Sequence, residues 1–243
     1  MSEIIKVIQF SKNFSGKTIH KDINFKVYEG ECLGLLGGSG AGKSVILRSL
    51  IGLEKPTSGQ ILINDVDVVK LSEQDLFKVR RDVAYVFQYG ALFDSMTVFD
   101  NLAYPLNEHT QLSKGEIKDL ITSTLAEFNL EGTEQLLPNE LSGGMQKRVG
   151  LARAIILNPK VVLYDEPTAG LDPANTIAIQ GLISKLKNKG NTSILVTHDM
   201  DTAFAVCDRV CLLKNHGIIE LEPVDELKKN KEHFFNYFAK GQA

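Results

Sequence analysis

Residues 37–44, Gly-Gly-Ser-Gly-Ala-Gly-Lys-Ser, can curl a backbone around an anion. They fit G-x-x-x-x-G-K-[ST], in which the glycines let successive N–H groups point at one phosphate. Gly37, Gly38, Ser39, Gly40, Ala41 and Gly42 would form the cradle. Lys43 would reach the β- and γ-phosphates of a nucleotide, and the Ser44 hydroxyl would ligate Mg²⁺. The loop follows the short apolar run ECLGLLGG and leads into VILRSLIGL, a strand and then a helix, whose N-terminus adds its positive dipole end. A dinucleotide fingerprint is the other glycine-rich option. Its GxGxxG spacing is not spelled here, and it leaves the Lys-Ser pair without a role.

A second constellation is Val161-Val162-Leu163-Tyr164-Asp165-Glu166, an apolar run ending in two acids. Acids at the carboxyl end of a parallel strand lie in the crevice where a phosphate loop opens. Asp165 is then placed to hold Mg²⁺ through water, and Glu166 to orient or deprotonate an attacking water. The bland alternative, a solvated pair capping the next segment, loses ground beside a phosphate loop.

A third is Leu141-Ser142-Gly143-Gly144-Met145, the start of a helix with Met145, Val149, Ala152 and Ile156 on one face. Ser142 suits an N-cap, and Gly143 and Gly144 leave N–H groups uncovered, which makes a second anion-binding helix start. An ordinary cap would not need two glycines, which are costly in a helix. Two anion sites with one phosphate loop suggest completion by another subunit.

The elements that must position these residues are legible in outline. Segments near 4–10 and 18–28 read as β-structure around a turn at Ser15-Gly16, and GQILINDVDVV as a hairpin around Asn64-Asp65. SEQDLFKVRR opens on Ser72 with Asp75 three later, and SKGEIKDLITSTLAEF on Ser113 with Glu116, both spaced as capping boxes. VAYVFQ, VVLY and SILVT are continuous apolar runs, expected of strands covered on both faces. Between about 97 and 158 the pattern is helical, which implies an insertion into an α/β core with a mainly parallel sheet. RVCLLKNHGIIEL reads as a late hairpin. The end, about 222–243, reads as a helical tail that gathers Phe234, Phe235, Tyr237 and Phe238. The whole, 1–243, is expected to be one nucleotide-handling unit.

With 243 residues, 43% hydrophobic and 23% charged, the chain suits a globular protein with a large core. Its net charge of −3 provides no global basic field, so no nucleic-acid partner is expected. No apolar run reaches the ~18 residues that cross a bilayer. The N-terminal MSEIIKVIQF lacks a signal-peptide layout. A cytosolic chain that meets membranes only through a partner is expected. Cys32, Cys207 and Cys211 have no CxxC spacing and read as reduced, buried fillers; Cys207 and Cys211, four apart, are placed to share a helix face.

LSGGM at 141–145 resembles the signature motif of ABC-type ATPases, usually LSGGQ, and the similarity runs through nearly the whole chain in family order. The resemblance implies the ABC ATPase fold: a P-loop NTPase core, an N-terminal antiparallel β-subdomain and a helical insertion. It implies two copies sandwiching two ATP molecules head to tail, each phosphate loop facing the other copy's signature. Gln88 matches the Q-loop residue that senses Mg²⁺ and the attacking water. Ala169-Gly170-Leu171-Asp172 resembles the D-loop at the dimer interface, and His198 the switch histidine at the γ-phosphate. Phe14 stands near the family's adenine-stacking aromatic. His20, His109, His216 and His233 match no motif and take no role. Met145 departs from the usual Gln, removing one side-chain contact, and Val45 lacks a hydroxyl that many members place near the α-phosphate.

The stretch 87–106, FQYGALFDSMTVFDNLAYPL, is too apolar for a simple loop and too interrupted for a buried helix. In ABC-type ATPases the segment after the Q-loop glutamine receives a coupling helix from the membrane subunit. By that resemblance Leu92, Phe93 and Met96 are apolar anchors, Asp94 and Asp100 a polar rim, and Phe99 and Tyr104 pack inward. GALFDSMTVFDNLAYPLNEHTQL, GGSGAGKSV and LSGGMQKR resemble the branch that energises Mla and Mce lipid transport in diderm bacteria. That likeness implies an MlaE-like integral membrane permease, an MCE-domain protein and, in some members, a STAS-domain protein, with this chain peripheral on the cytoplasmic face of the inner membrane. Other readings stay open: the ATPase of a solute importer, a soluble ABC-type ATPase acting on DNA or ribosomes, and a small-molecule P-loop kinase. The kinase reading leaves the signature and D-loop unexplained.

Overall fold

The computed structural model describes residues 2–229. Two sheets and a set of helices make up this part of the chain. The first sheet has four strands, in the order β2 (Lys17–Tyr28), β1 (Glu3–Phe14), β4 (Ser58–Ile63), β5 (Val66–Asp67), all antiparallel. The second has six, in the order β10 (Gly217–Pro223), β9 (Arg209–Lys214), β3 (Cys32–Gly37), β8 (Thr192–Thr197), β7 (Val161–Asp165), β6 (Val83–Val86). Every pairing there is parallel except β10 with β9, the hairpin expected near the end.

Strands β3, β7 and β8 are buried at every residue, as continuous apolar runs between two layers must be. Their side chains alternate between two cores. Leu33, Leu35, Leu163, Ile194 and Val196 face the first sheet and α1 (Lys43–Leu50), which contributes Ile46, Leu47 and Leu50. Leu36, Val162, Tyr164 and Leu195 face the helical side. There lie α3 (Val98–His109), α4 (Lys114–Glu127), α5 (Gly143–Ile155), α6 (Pro173–Asn188) and α7 (Met200–Val206). Helix α2 (Glu73–Asp82) leads into β6, and α8 (Val224–Lys229) follows β10.

Local chemistry sets the helix starts. Ser113 and Glu116 form a reciprocal capping box on α4, as their spacing predicts. Ser72 accepts from the Asp75 N–H at α2. Thr97 and Asp100 form a further capping box, at α3, and the exposed Asp100 thereby serves its own helix as well. The cysteine expectation is half right. All three thiols are buried and free, and burial pushes Cys211 up to about 12. Cys207 and Cys211 do not share a helix: Cys207 ends α7, Cys211 lies in β9, and the Cys207 sulfur sits 3.7 Å from that of Cys32. The aromatic run at 234–238 lies outside the described residues.

Candidate functional site

The strand order sets the carboxyl ends of β3, β8, β7 and β6 side by side. The phosphate loop leaves β3, His198 follows β8, Asp165 and Glu166 end β7, and Gln88 follows β6. Open parallel sheets collect their ligands at this edge. Gly38–Val45, Gln88, Glu166 and His198 line one cleft of about 770 Å³, together with Ile19 and with Phe14 from the end of β1.

Glu166 is the hub of the cleft. One carboxylate oxygen lies 3.4 Å from the Lys43 ammonium and the other 2.9 Å from His198 Nδ1. Lys43 also donates to the carbonyls of Gly37 (2.8 Å) and Gly38 (3.2 Å). Beside it Asp165 accepts from the Ser44 hydroxyl at 2.7 Å and from the Tyr85 hydroxyl at 2.6 Å, one on each oxygen. Lys43, Asp165 and Glu166 are largely buried, whereas the His198 side chain is 63% exposed at the cleft mouth.

Two backbone features shape the cleft. Glu166 has φ 50°, a left-handed conformation that a non-glycine residue holds only when its surroundings impose it. Its N–H is fixed by the Val196 carbonyl at 2.9 Å. Gly42, with φ 83°, closes the phosphate loop against buried His20. A Cβ there would lie 2.4 Å from His20 Nε2, which bonds the Gly42 carbonyl at 2.9 Å.

The remaining expected residues lie apart from the cleft. Ser142 caps α5 by accepting from the Met145 N–H, and it is exposed together with Gly143. Asp172 caps α6, accepting from the Asn175 backbone and amide, and these bonds hold its carboxyl below the usual carboxylate range. Arg148 on α5 donates to Asn175 at 3.0 Å, so the two helix starts form one surface. Two residues of the cleft's supports escaped the sequence reading. Tyr85 looked like any strand aromatic, yet it orients Asp165; burial, with Asp165 beside it, pushes its phenol far above the ordinary range and keeps it a donor. His20 matched no motif, and only its contact with Gly42 reveals it.

A glycine-rich phosphate cradle at the carboxyl edge of a parallel sheet, with a lysine inside it and an acid pair one strand away, defines a nucleotide-hydrolysing P-loop domain. The chain belongs to the ABC transporter family, whose description matches residues 20–169. It is similar to the probable ribonucleotide transport ATP-binding protein mkl of Mycobacterium tuberculosis, at 40% identity over 100% of this chain and 68% of that one. It is 34% identical to the intermembrane phospholipid transport system ATP-binding protein MlaF of Haemophilus influenzae, over 99% of this chain and 91% of MlaF. It is also 38% identical to the methionine import ATP-binding protein MetN of Legionella pneumophila, over 94% and 67%. A solved dimeric bacterial ABC transporter cassette superposes with TM-score 0.85 at 33% identity, over 91% of this chain and 99% of that one. A dimeric post-hydrolysis cassette bound to ADP and phosphate gives 0.84 at the same identity and coverage. The chain is an ATP-binding ABC ATPase with the expected fold. No helix among the described residues is long and apolar enough to cross a membrane.

Proposed function

We propose that this ATPase energises transport of phospholipid or another lipid across a bacterial envelope, from the cytoplasmic face of the inner membrane and through an integral permease. The observation that carries the reading is the stretch after Gln88. It turns Tyr89 (81% exposed), Phe93 (43%) and Tyr104 (46%) outward in a chain similar to MlaF along nearly all its length. Phe93 and Tyr104 pack ring to ring at 5.3 Å, beside a groove lined by Leu92, Asp94, Pro138 and Gln146. An apolar helix from a permease fits such a platform. Tyr104 is thus part of the outward face rather than packed inward, while Phe99 and part of Leu92 pack on the core.

In the cleft, Lys43 and the loop N–H groups hold the β- and γ-phosphates, and Phe14 offers a face to the adenine. Glu166 orients or deprotonates the water, and His198 reaches the γ-phosphate. Ser44 and Asp165 supply hard oxygens, with Gln88 nearby. No cluster of three or more His, Cys, Asp or Glu among the described residues makes a self-sufficient cage. That donor set fits Mg²⁺ shared with phosphate oxygens. The ion would neutralise charge on the transferring phosphoryl group. Ser142, Gly143 and Asp172 belong to the exposed surface that a second copy's ATP would meet, and Gly144 lies buried just beneath it against Asn175. ATP then closes the pair, and hydrolysis releases it. An MCE-domain protein, and a STAS-domain protein in some assemblies, complete the proposed complex.

The test is a gentle detergent purification of the tagged protein from its native membranes, with mass spectrometry of what accompanies it. A permease, an MCE protein and bound phospholipid support the lipid reading. A permease with a solute-binding protein would replace it with solute import, the second reading, favoured by the likeness to MetN.

A further inference from the structure

The partner-facing loop is built unlike a mobile loop. Phe93 turns outward, but the backbone is held from beneath at five residues, Gly90, Ala91, Phe93, Met96 and Thr97. Asn101 of α3 is completely buried. Its amide oxygen accepts from the Phe93 N–H at 2.9 Å, and its amide nitrogen donates to the carbonyls of Phe93, Met96 and Thr97 at 3.2, 3.1 and 3.0 Å. Arg153 of α5 donates to the same Asn101 oxygen at 3.1 Å, to the Gly90 carbonyl at 3.1 Å and to the Ala91 carbonyl at 2.8 Å. Its guanidinium also lies 5.3 Å from the Phe93 ring centre. Gly90 and Gly150 touch backbone to backbone, so that a Cβ on Gly150 would lie 2.7 Å from the Gly90 Cα. Ala91 keeps a left-handed φ of 50°, which its bonded carbonyl helps to enforce.

Arg153 makes no salt bridge with any described residue; carbonyls, an amide and a ring surround its charge. Arg153 is half-buried, and even partial removal of a cation from water without a counter-ion costs free energy. The fork of donors supplies geometry that an apolar group cannot, because it ties two carbonyls and one amide to a single helix. That helix begins at Ser142–Gly144, and ten helical steps lead from Gly143 to Arg153, about 15 Å of stiff rod.

We propose that Arg153 and Asn101 are positioning residues that clamp loop 90–97 to α5, so that the partner-facing surface and the signature helix start move as one body. A push on Phe93 and Tyr89 is then delivered to Ser142–Gly144, where a second copy's ATP would sit. The inference rests on the proposed reading of both surfaces, and the two fail separately.

The test compares wild type with Arg153→Met and Arg153→Lys, which lie outside the nucleotide cleft. Amide hydrogen exchange is followed on the full-length protein, and ATP turnover on the membrane-purified assembly. For Arg153→Met, exchange at 90–97 rises about tenfold or more. In the assembly kcat falls about tenfold while KM for ATP stays within about twofold, because positioning is lost and ATP binding is not. Arg153→Lys, with one ammonium for three acceptors, falls between, and it probes the clamp equally well should the methionine variant not fold. Exchange or kcat within about twofold of wild type in the folded variants overturns the clamp. A wild-type preparation that brings no membrane protein sinks the transport reading instead, and the exchange comparison then decides the clamp alone.

Discussion

The nucleotide cleft and the partner-facing loop solve opposite problems. In the cleft, charged side chains are gathered and satisfy one another: Glu166 holds Lys43 and His198, while Asp165 holds Ser44 and Tyr85. A polyanion must compete for those donors, so the cleft selects by charge and hydrogen bonding. In the loop the backbone is satisfied by Asn101 and Arg153, and Tyr89, Phe93 and Tyr104 are left exposed, the last two covering only one another in part. It selects by shape and by area removed from water. A site for chemistry pairs its charges; a site for docking pairs its backbone.

Breaking the cleft side should produce the largest effects. Glu166→Gln keeps the shape but removes the acceptor for the water proton, so ATP turnover falls by about 10²–10⁴-fold while ATP still binds and holds a closed pair. Unchanged turnover in the purified assembly would remove Glu166 from catalysis. Lys43→Ala comes next. Loss of one aligned electrostatic group raises a barrier by ~2.7–4 kcal/mol, and the phosphates lose affinity as well. A fall in turnover of less than about tenfold, together with undiminished ATP binding, would contradict the role given to Lys43.

Breaking the loop side should leave the cleft intact. Phe93→Asp places a carboxylate on the docking face, and the exposed position keeps folding costs small. The new carboxylate would sit above Arg153, so the clamp beneath persists. An anchor residue is worth about 2 kcal/mol or more, and recovery of the permease should therefore drop roughly thirtyfold at limiting concentration. Intact co-purification and transport would show that the aromatic platform docks nothing.

The two regions also differ in how much of them the sequence discloses. The phosphate loop and the acid pair are contiguous words, and the apolar runs before them are strands with all residues buried. The capping box at Ser113–Glu116 is legible for the same reason, since it is local. What lies between distant segments is not. Asn101 looks like a helix-surface amide, but four bonds to 93–97 bury it. The cap that Asp100 makes with Thr97 escapes the sequence reading as well, although its spacing is local. His20 is hidden by parity. Ile23, Phe25 and Val27 face inward at every second residue, which would turn position 20 outward. Between the pairs Phe10–Ile23 and Lys12–His20 the register shifts, and Asp22 has φ 52°. This bulge inverts the alternation and drives the histidine under the phosphate loop.

That buried histidine gives the smallest effect, and one confined to the cleft side. Burial pushes His20 below its ordinary value; the Gly42 carbonyl on Nε2 acts the other way, and charge on neighbouring His216 adds to the lowering. The unfolded chain therefore takes up a proton on His20 before the folded one does. Stability from this group is complete above about pH 6.5 and is lost as pH falls toward the folded value, with a slope of at most about 1.4 kcal/mol per pH unit. His20→Gln keeps an N–H for the Gly42 carbonyl but cannot titrate. Between pH 7 and pH 5 its melting temperature should fall less than that of wild type, while the exchange rates of loop 90–97 stay equal in the two proteins. Parallel melting curves would mean that the phosphate loop tolerates a charged His20. Acid sensitivity would then have to come from groups other than His20, and burial would not be what keeps charge out from under the phosphate loop.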